Sequence, residues 1–192
     1  IDPLEVGPIG RLAVVGSSGM GALEYEPSVS PARGDHSVDL DEVAEECRSL
    51  LESDFSEDLD TLFELGGSSG GARPKILTKV DGEDWIIKFP SSSDVCDIGL
   101  REYNVSLAAR SCGVEMAETR LFPSKYCAGY FGTKRFDRIL GEDGRPRRVH
   151  MASAGALLET SHRTPNLDYG LLMRLTLRLT GDFGAVERLY RL

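Results

Sequence analysis

The sequence predicts an α+β fold, a mainly antiparallel sheet carrying one helix and followed by a helical region. Three observations support it. Lys75-Ile76-Leu77-Thr78-Lys79-Val80 and Trp85-Ile86-Ile87-Lys88-Phe89 are rich in β-branched and aromatic residues, and Asp81-Gly82-Glu83-Asp84 between them has hairpin-turn chemistry. Residues 100–110 place Leu100, Tyr103 and Leu107 on one helical face. From His150 onward the pattern is helical, most clearly at Tyr169, Leu171, Leu172, Leu175 and Leu179.

Three regions follow in order, without an internal repeat. Residues 1–65 open with short strands and loops to about residue 34, broken by a Gly-, Ser- and Pro-rich stretch at 28–34. The formal net charge of −9 is concentrated next, between Asp35 and Glu64, where only Arg48 opposes the carboxylates. Apolar residues still recur there at Val43, Cys47, Leu50 and Leu51, then at Leu59, Leu62 and Phe63, which predicts two acidic amphipathic helices. Such helices either present a solvated face or dock a basic partner. They disfavour direct nucleic-acid binding, because they repel phosphates.

Residues 66–140 form the second region, and it carries the chemistry. Gly66-Gly67-Ser68-Ser69-Gly70-Gly71-Ala72-Arg73-Pro74-Lys75 allows backbone N–H groups to approach a phosphate chain unobstructed. Its composition also suits a flexible linker, but a glycine loop running straight into a hairpin is compact rather than a tether. Lys88, set among apolar strand residues, calls for an anionic partner. Together they sketch the phosphate-holding half of a kinase, with ATP as the leading ligand. Lys75 is followed by Ile76, so this is not a Walker A loop.

Glu102, near the start of the 100–110 helix, either reaches Lys88 and orients it or stays exposed near the helix N-terminus. Gly113 is placed to end that helix in a left-handed cap. Leu121-Phe122 and residues 126–131 supply two further strands, and residues 141–145 a hairpin turn that opens the third region, 141–192.

Four stretches in this order resemble the HipA-like serine/threonine kinases of bacterial toxin–antitoxin systems. They are Arg11-Leu12-Ala13-Val14-Val15-Gly16 with Met20-Gly21-Ala22-Leu23, the loop from Ser68 to Lys75, Ile86-Ile87-Lys88-Phe89-Pro90, and Lys134-Arg135-Phe136-Asp137-Arg138. The resemblance implies a protein-kinase-like N-lobe and the beginning of a helical C-lobe. It implies that Gly70, Gly71, Ala72, Arg73, Pro74 and Lys75 cover the ATP phosphates and that Lys88 grips them. Lys134, Arg135 and Phe136 would seat the adenine through backbone hydrogen bonds and an aromatic contact. Ser68, or Ser69 beside it, aligns with the serine such kinases autophosphorylate, where about two added negative charges would repel ATP. His150 matches a family position near the lobe junction, and Met151-Ala152-Ser153-Ala154 departs from the family pattern.

The intact kinase would use Mg²⁺, phosphorylate a protein serine or threonine (an aminoacyl-tRNA synthetase by family precedent) and pair with a DNA-binding antitoxin. The catalytic aspartate and asparagine are not found here. Asn104 and Asn166 are the only asparagines, and neither follows an aspartate at catalytic-loop spacing. Gly181-Asp182-Phe183-Gly184 spells a kinase metal-binding triplet, but it lies between two helical patterns, so Gly181 reads as a helix stop and Asp182 as an N-cap.

The catalytic loop is therefore expected beyond Leu192, in a chain that reads as truncated at both ends, with no catalytic or metal-binding residue of its own. Cys47, Cys96, Cys112 and Cys127 are scattered without metal-ligand spacing, which suits reduced thiols in the cytoplasm, and no membrane segment is evident. Two functions stay open, a kinase fragment inactive alone and a non-catalytic module that recognises an antitoxin or another protein.

Overall fold

The computed structural model describes residues 7–29, 39–52, 73–91, 93–160 and 167–191. They form a mixed α/β structure with a four-stranded antiparallel sheet, a two-stranded sheet and six helices among the described residues.

The main sheet contains β1 (Lys75–Val80), β2 (Glu83–Lys88), β3 (Thr119–Phe122) and β4 (Tyr130–Lys134), in the order β1-β2-β4-β3. The first hairpin is tighter than the sequence suggests. Glu83 and Asp84 pair with Val80 and Lys79, leaving only Asp81-Gly82 as the turn. Both turn residues have positive φ, +54° and +78°, which Asp-Gly supplies at low cost in a twist-matched two-residue turn. The fourth strand starts at Tyr130 rather than near residue 126. The Ser124 hydroxyl accepts from the N–H groups of Tyr126 and Cys127 and bends the chain there, so Tyr126 is left exposed.

Period-2 alternation gives the sheet two distinct faces. Ile76, Trp85, Ile87, Phe122 and Tyr130 share one, with Trp85 edge-on to Phe122 and Tyr130 edge-on to Phe89. Helix α2 (Leu40–Glu52), the first of the two acidic helices predicted, covers this face with Val43 and Cys47. Asp41 of α2 fixes the contact by accepting from Ser124 Oγ (2.7 Å), Tyr130 Oη (2.8 Å) and Lys125 N (3.1 Å). The second acidic helix lies outside the described residues. Burial pushes the Cys47 thiol up to about 12, and all four cysteines are free.

The opposite face carries Lys75, Leu77, Ile86, Lys88 and Phe131 and receives α3 (Ile98–Ser111). Sequence periodicity points to Leu100, Tyr103 and Leu107 as the packing stripe, but Leu107 is exposed while Gly99 and Ser106 are buried. The helix therefore approaches on small residues. A side chain at position 99 would fall on the Gly129 carbonyl oxygen, and Ser106 Oγ shares a 2.9 Å hydrogen bond with Thr119 Oγ1 of β3. Gly113 (φ +80°) follows the helix in the expected left-handed conformation.

Before the sheet, the expected strands and loops are replaced in part by a helix, α1 (Pro8–Val15). Pro8 sits in its first turn, where a missing N–H costs nothing, and Gly16 ends it. After the sheet, β5 (Arg138–Leu140) and β6 (Pro146–Arg148) pair around the predicted turn. Then come α4 (Ala154–Leu157), α5 (Tyr169–Thr180) and α6 (Phe183–Tyr190). Among the described residues no helix is long and apolar enough to cross a membrane.

Candidate functional site

Lys88 ends β2 on the α3 face of the sheet, opposite Lys75 on β1 and Phe131 on β4. Its ammonium group lies 5.2 Å from the centre of the Phe131 ring and forms an ion pair with Glu102. Glu102 reaches it because Gly99, Glu102 and Ser106 follow one another at i, i+3 and i+7 on the helix face that the close sheet contact selects. Of the two placements the sequence allowed for Glu102, the structure shows the one facing Lys88.

A second cation joins this pair. Arg73 Nη1 lies 3.7 Å from the other Glu102 oxygen, while its Nε and Nη2 donate to Asp94 at 2.9 and 3.1 Å. Asp94 also accepts from the backbone N–H (2.9 Å) and hydroxyl (2.7 Å) of Ser91. Arg73, then the Ser91 N–H and hydroxyl, hold the Asp94 carboxyl well below the usual carboxylate range. Arg73 is in turn shifted up by Asp94. Burial, and then the charge of Lys88, push Lys75 down. Among the described residues, three cations thus gather against two carboxylates where the chain enters β1, and Phe89 N–H donates to Pro74 O (2.9 Å) to fix that point of entry. Such a corner can hold a polyanion.

Gly70, Gly71 and Ala72, together with Ser68 and Ser69, lie outside the described residues. Lys134 projects from the α2 face, away from Lys88, and pairs with Glu83, which raises its pKa. Its backbone N–H donates to Glu118 O and that of Arg135 to Asp84 O, both at 2.8 Å, so these two groups already have partners. The Phe136 ring is exposed.

The Arg135 side chain has a structural task that the sequence did not reveal. It is buried and clasps the fully buried Asp137 through Nε (2.9 Å) and Nη2 (2.7 Å). Asp137 also accepts from Arg138 (2.7 Å) and from Gly21 N–H (2.7 Å), and both arginines donate to Gly19 O at 2.9 Å. The arginine–aspartate knot thereby ties residues 19–21 to the end of the sheet. An aspartate flanked by arginines at i−2 and i+1 was the signal available in the sequence.

Asp182 accepts from Gly184 N (2.8 Å) and Ala185 N (3.1 Å) at the start of α6, and Gly181 has φ +65°, so the Asp-Phe-Gly triplet caps a helix as its context predicts. Among the described residues no three His, Cys, Asp or Glu side chains gather as a metal site. A cleft on the α2 side, lined by Glu45, Arg48, Ser91, Asp94, Cys96 and Tyr126, shares Ser91 and Asp94 with this corner, but neither Lys88 nor Glu102 lines it.

Comparison with curated proteins returns no match. The family model for the HipA-like C-terminal domain matches residues 67–192, a span that includes Arg73, Lys88, Asp94, Glu102 and the arginine–aspartate knot. The chain therefore belongs to the HipA-like family.

Proposed function

We propose that this chain carries the nucleotide-binding lobe of a HipA-like serine/threonine kinase and that Lys88 grips the phosphates of ATP. The Lys88–Glu102 ion pair carries the reading, because it sits beside Arg73 and Lys75 where the glycine-rich segment joins the sheet. An antiparallel sheet with a helix glutamate holding a strand lysine is how kinases position that lysine.

The residues suit ATP. Among the described residues cations outnumber carboxylates at the corner, the Lys88 side chain is about one-third exposed (31%), and the Phe136 ring is open for stacking. Bound ATP would supply a γ-phosphoryl group for transfer to a protein serine or threonine. Lys88 and Arg73 bind its oxygens, Glu102 orients Lys88, and Gly70, Gly71 and Ala72 close over them. Phosphate on Ser68 or Ser69 would place negative charge inside that cradle and oppose binding.

Among the described residues the fit to Mg²⁺ is poor. Asp182 is committed to a cap, and no metal-site cluster is present among the described residues. The protein substrate, a basic antitoxin docking on the acidic α2 region and a cytoplasmic location belong to the same reading.

Crosslinking with a photoreactive ATP analogue tests the proposal. Label should appear in peptides spanning residues 66–88 and fall at least tenfold in Lys88→Met, the scale of a lost charge-assisted contact. Equal labelling of wild type and Lys88→Met would overturn it. Radiolabelled ATP should show no turnover by these 192 residues.

A further inference from the structure

We infer that Asp94 is a positioning residue that decides which cation Glu102 holds. Its meaning for nucleotide binding rests on the function proposed above, but the geometry is independent of any ligand.

Glu102 stands between two claimants. Lys88 Nζ occupies Oε1, and Arg73 Nη1 waits 3.7 Å from Oε2. A guanidinium is the stronger competitor, since its planar fork matches both oxygens of a carboxylate whereas an ammonium acts as a point charge. Arg73 does not capture Glu102 because Asp94 already occupies its fork, through Nε at 2.9 Å and Nη2 at 3.1 Å.

Asp94 can do this because it is itself held. Ser91 donates its N–H and its hydroxyl to the carboxylate, and the Asp94 side chain is only 15% exposed. The chain is thus Ser91 to Asp94, Asp94 to Arg73, and Arg73 restrained at the edge of Glu102. Removing the negative charge at position 94 releases Arg73 toward Glu102 and takes Glu102 from Lys88. Arg73 also precedes Pro74, whose carbonyl accepts from Phe89, so Asp94 fixes the end of the glycine-rich segment as well.

The test reads Lys88 directly, in the 192-residue chain without nucleotide. A lysine amine held in a close ion pair with a carboxylate is less available to an acylating reagent than one without a partner. Acylation of Lys88 by an N-hydroxysuccinimide ester, followed by peptide mass spectrometry, therefore reports whether Glu102 is still beside it. Asp94→Asn should raise Lys88 labelling about threefold or more, and Asp94→Glu should stay near wild type. Arg73→Gln alone should label at or below the wild-type rate, since it removes the competitor. The double variant Asp94→Asn/Arg73→Gln should return to the wild-type rate, which a merely structural role for Asp94 would not produce.

Unchanged labelling in Asp94→Asn, a rise in Arg73→Gln, or a double variant that stays elevated would each overturn the inference. If Asp94→Asn fails to fold, the Arg73→Gln and Asp94→Glu rates decide. A separate arm adds ATP or tripolyphosphate to wild type. Failure of either to protect Lys88 counts against the proposed function and leaves the labelling comparison standing.

Discussion

Replacing Asp137 by Asn keeps the side chain's shape and removes its charge. Asp137 is fully buried, and its two oxygens accept from Arg135 twice, from Arg138 and from Gly21 N–H. Asn retains one acceptor and turns an NH₂ group toward guanidinium donors. Arg135 and Arg138, with side chains only 5% and 16% exposed, would then stay buried without a counter-charge. Breaking one partner of such a cluster costs about 3–5 kcal/mol, and the retained acceptor places this case near 3. For a chain of this size that is on the order of 10 °C in Tm.

Urea and thermal unfolding followed by circular dichroism measure the loss, and hydrogen exchange should speed up at residues 19–21. Acid should act through the same group. Burial alone would raise the Asp137 carboxyl, but Arg135, Gly21 N–H and the charge of Arg138 outweigh it and hold it below its ordinary value. A depressed folded value means full stabilisation above about pH 4, lost as pH falls further through the folded value. Asp137→Asn should therefore flatten the stability profile below about pH 4. A cost under about 1 kcal/mol would refute the claim that the knot is dry and mutually dependent.

Gly99→Ala should destabilise the fold by about 2 kcal/mol, as overpacking against backbone does, and raise Lys88 acylation by displacing Glu102. Normal stability there would show that α3 has room to shift. Asp182→Ala should cost about 1 kcal/mol, the worth of an N-cap, and leave photolabelling by an ATP analogue unchanged. A loss of labelling would instead assign the triplet to the nucleotide. In a longer, catalytically complete protein, mass spectrometry after incubation with ATP should find phosphate in the peptide containing Ser68 and Ser69. Phosphate confined to other peptides would count against the switch.

Much of the sheet was legible because its signals are local. Asp-Gly sets a two-residue turn, and alternating apolar residues set the strands around it. Helix α3 was legible in extent but not in orientation. A hydrophobic stripe is the usual guide, yet here Gly99 and Ser106 make the contact, and small residues leave no mark in an apolar pattern. Glu102 was found as a partner through the chemistry of Lys88 rather than through the helix face. Helix α1 was missed because Val14-Val15 and the neighbouring glycines resemble strand and loop, while Pro8 in the first turn pointed the other way. Asp94 and Asp137 were not singled out for a role because a loop carboxylate usually faces water. Only three-dimensional contact shows that arginines hold both.

The hard contact at Gly99 gives α3 a fulcrum. Glu102 is one turn from it, about 4.5 Å along the axis, whereas Ser111 is about 18 Å away at 1.5 Å per residue. A 5° tilt about Gly99 would move the far end by about 1.6 Å but Glu102 by only about 0.4 Å. Forces applied near Ser111 are therefore demagnified about fourfold before they reach the Lys88 pair. Tilting cannot readily part Glu102 from Lys88; rotation of the helix about its own axis can, and the Ser106–Thr119 hydrogen bond resists that motion. The lever is geared for steadiness at its short arm, and a partner that loosened the lysine would have to turn the helix rather than push it.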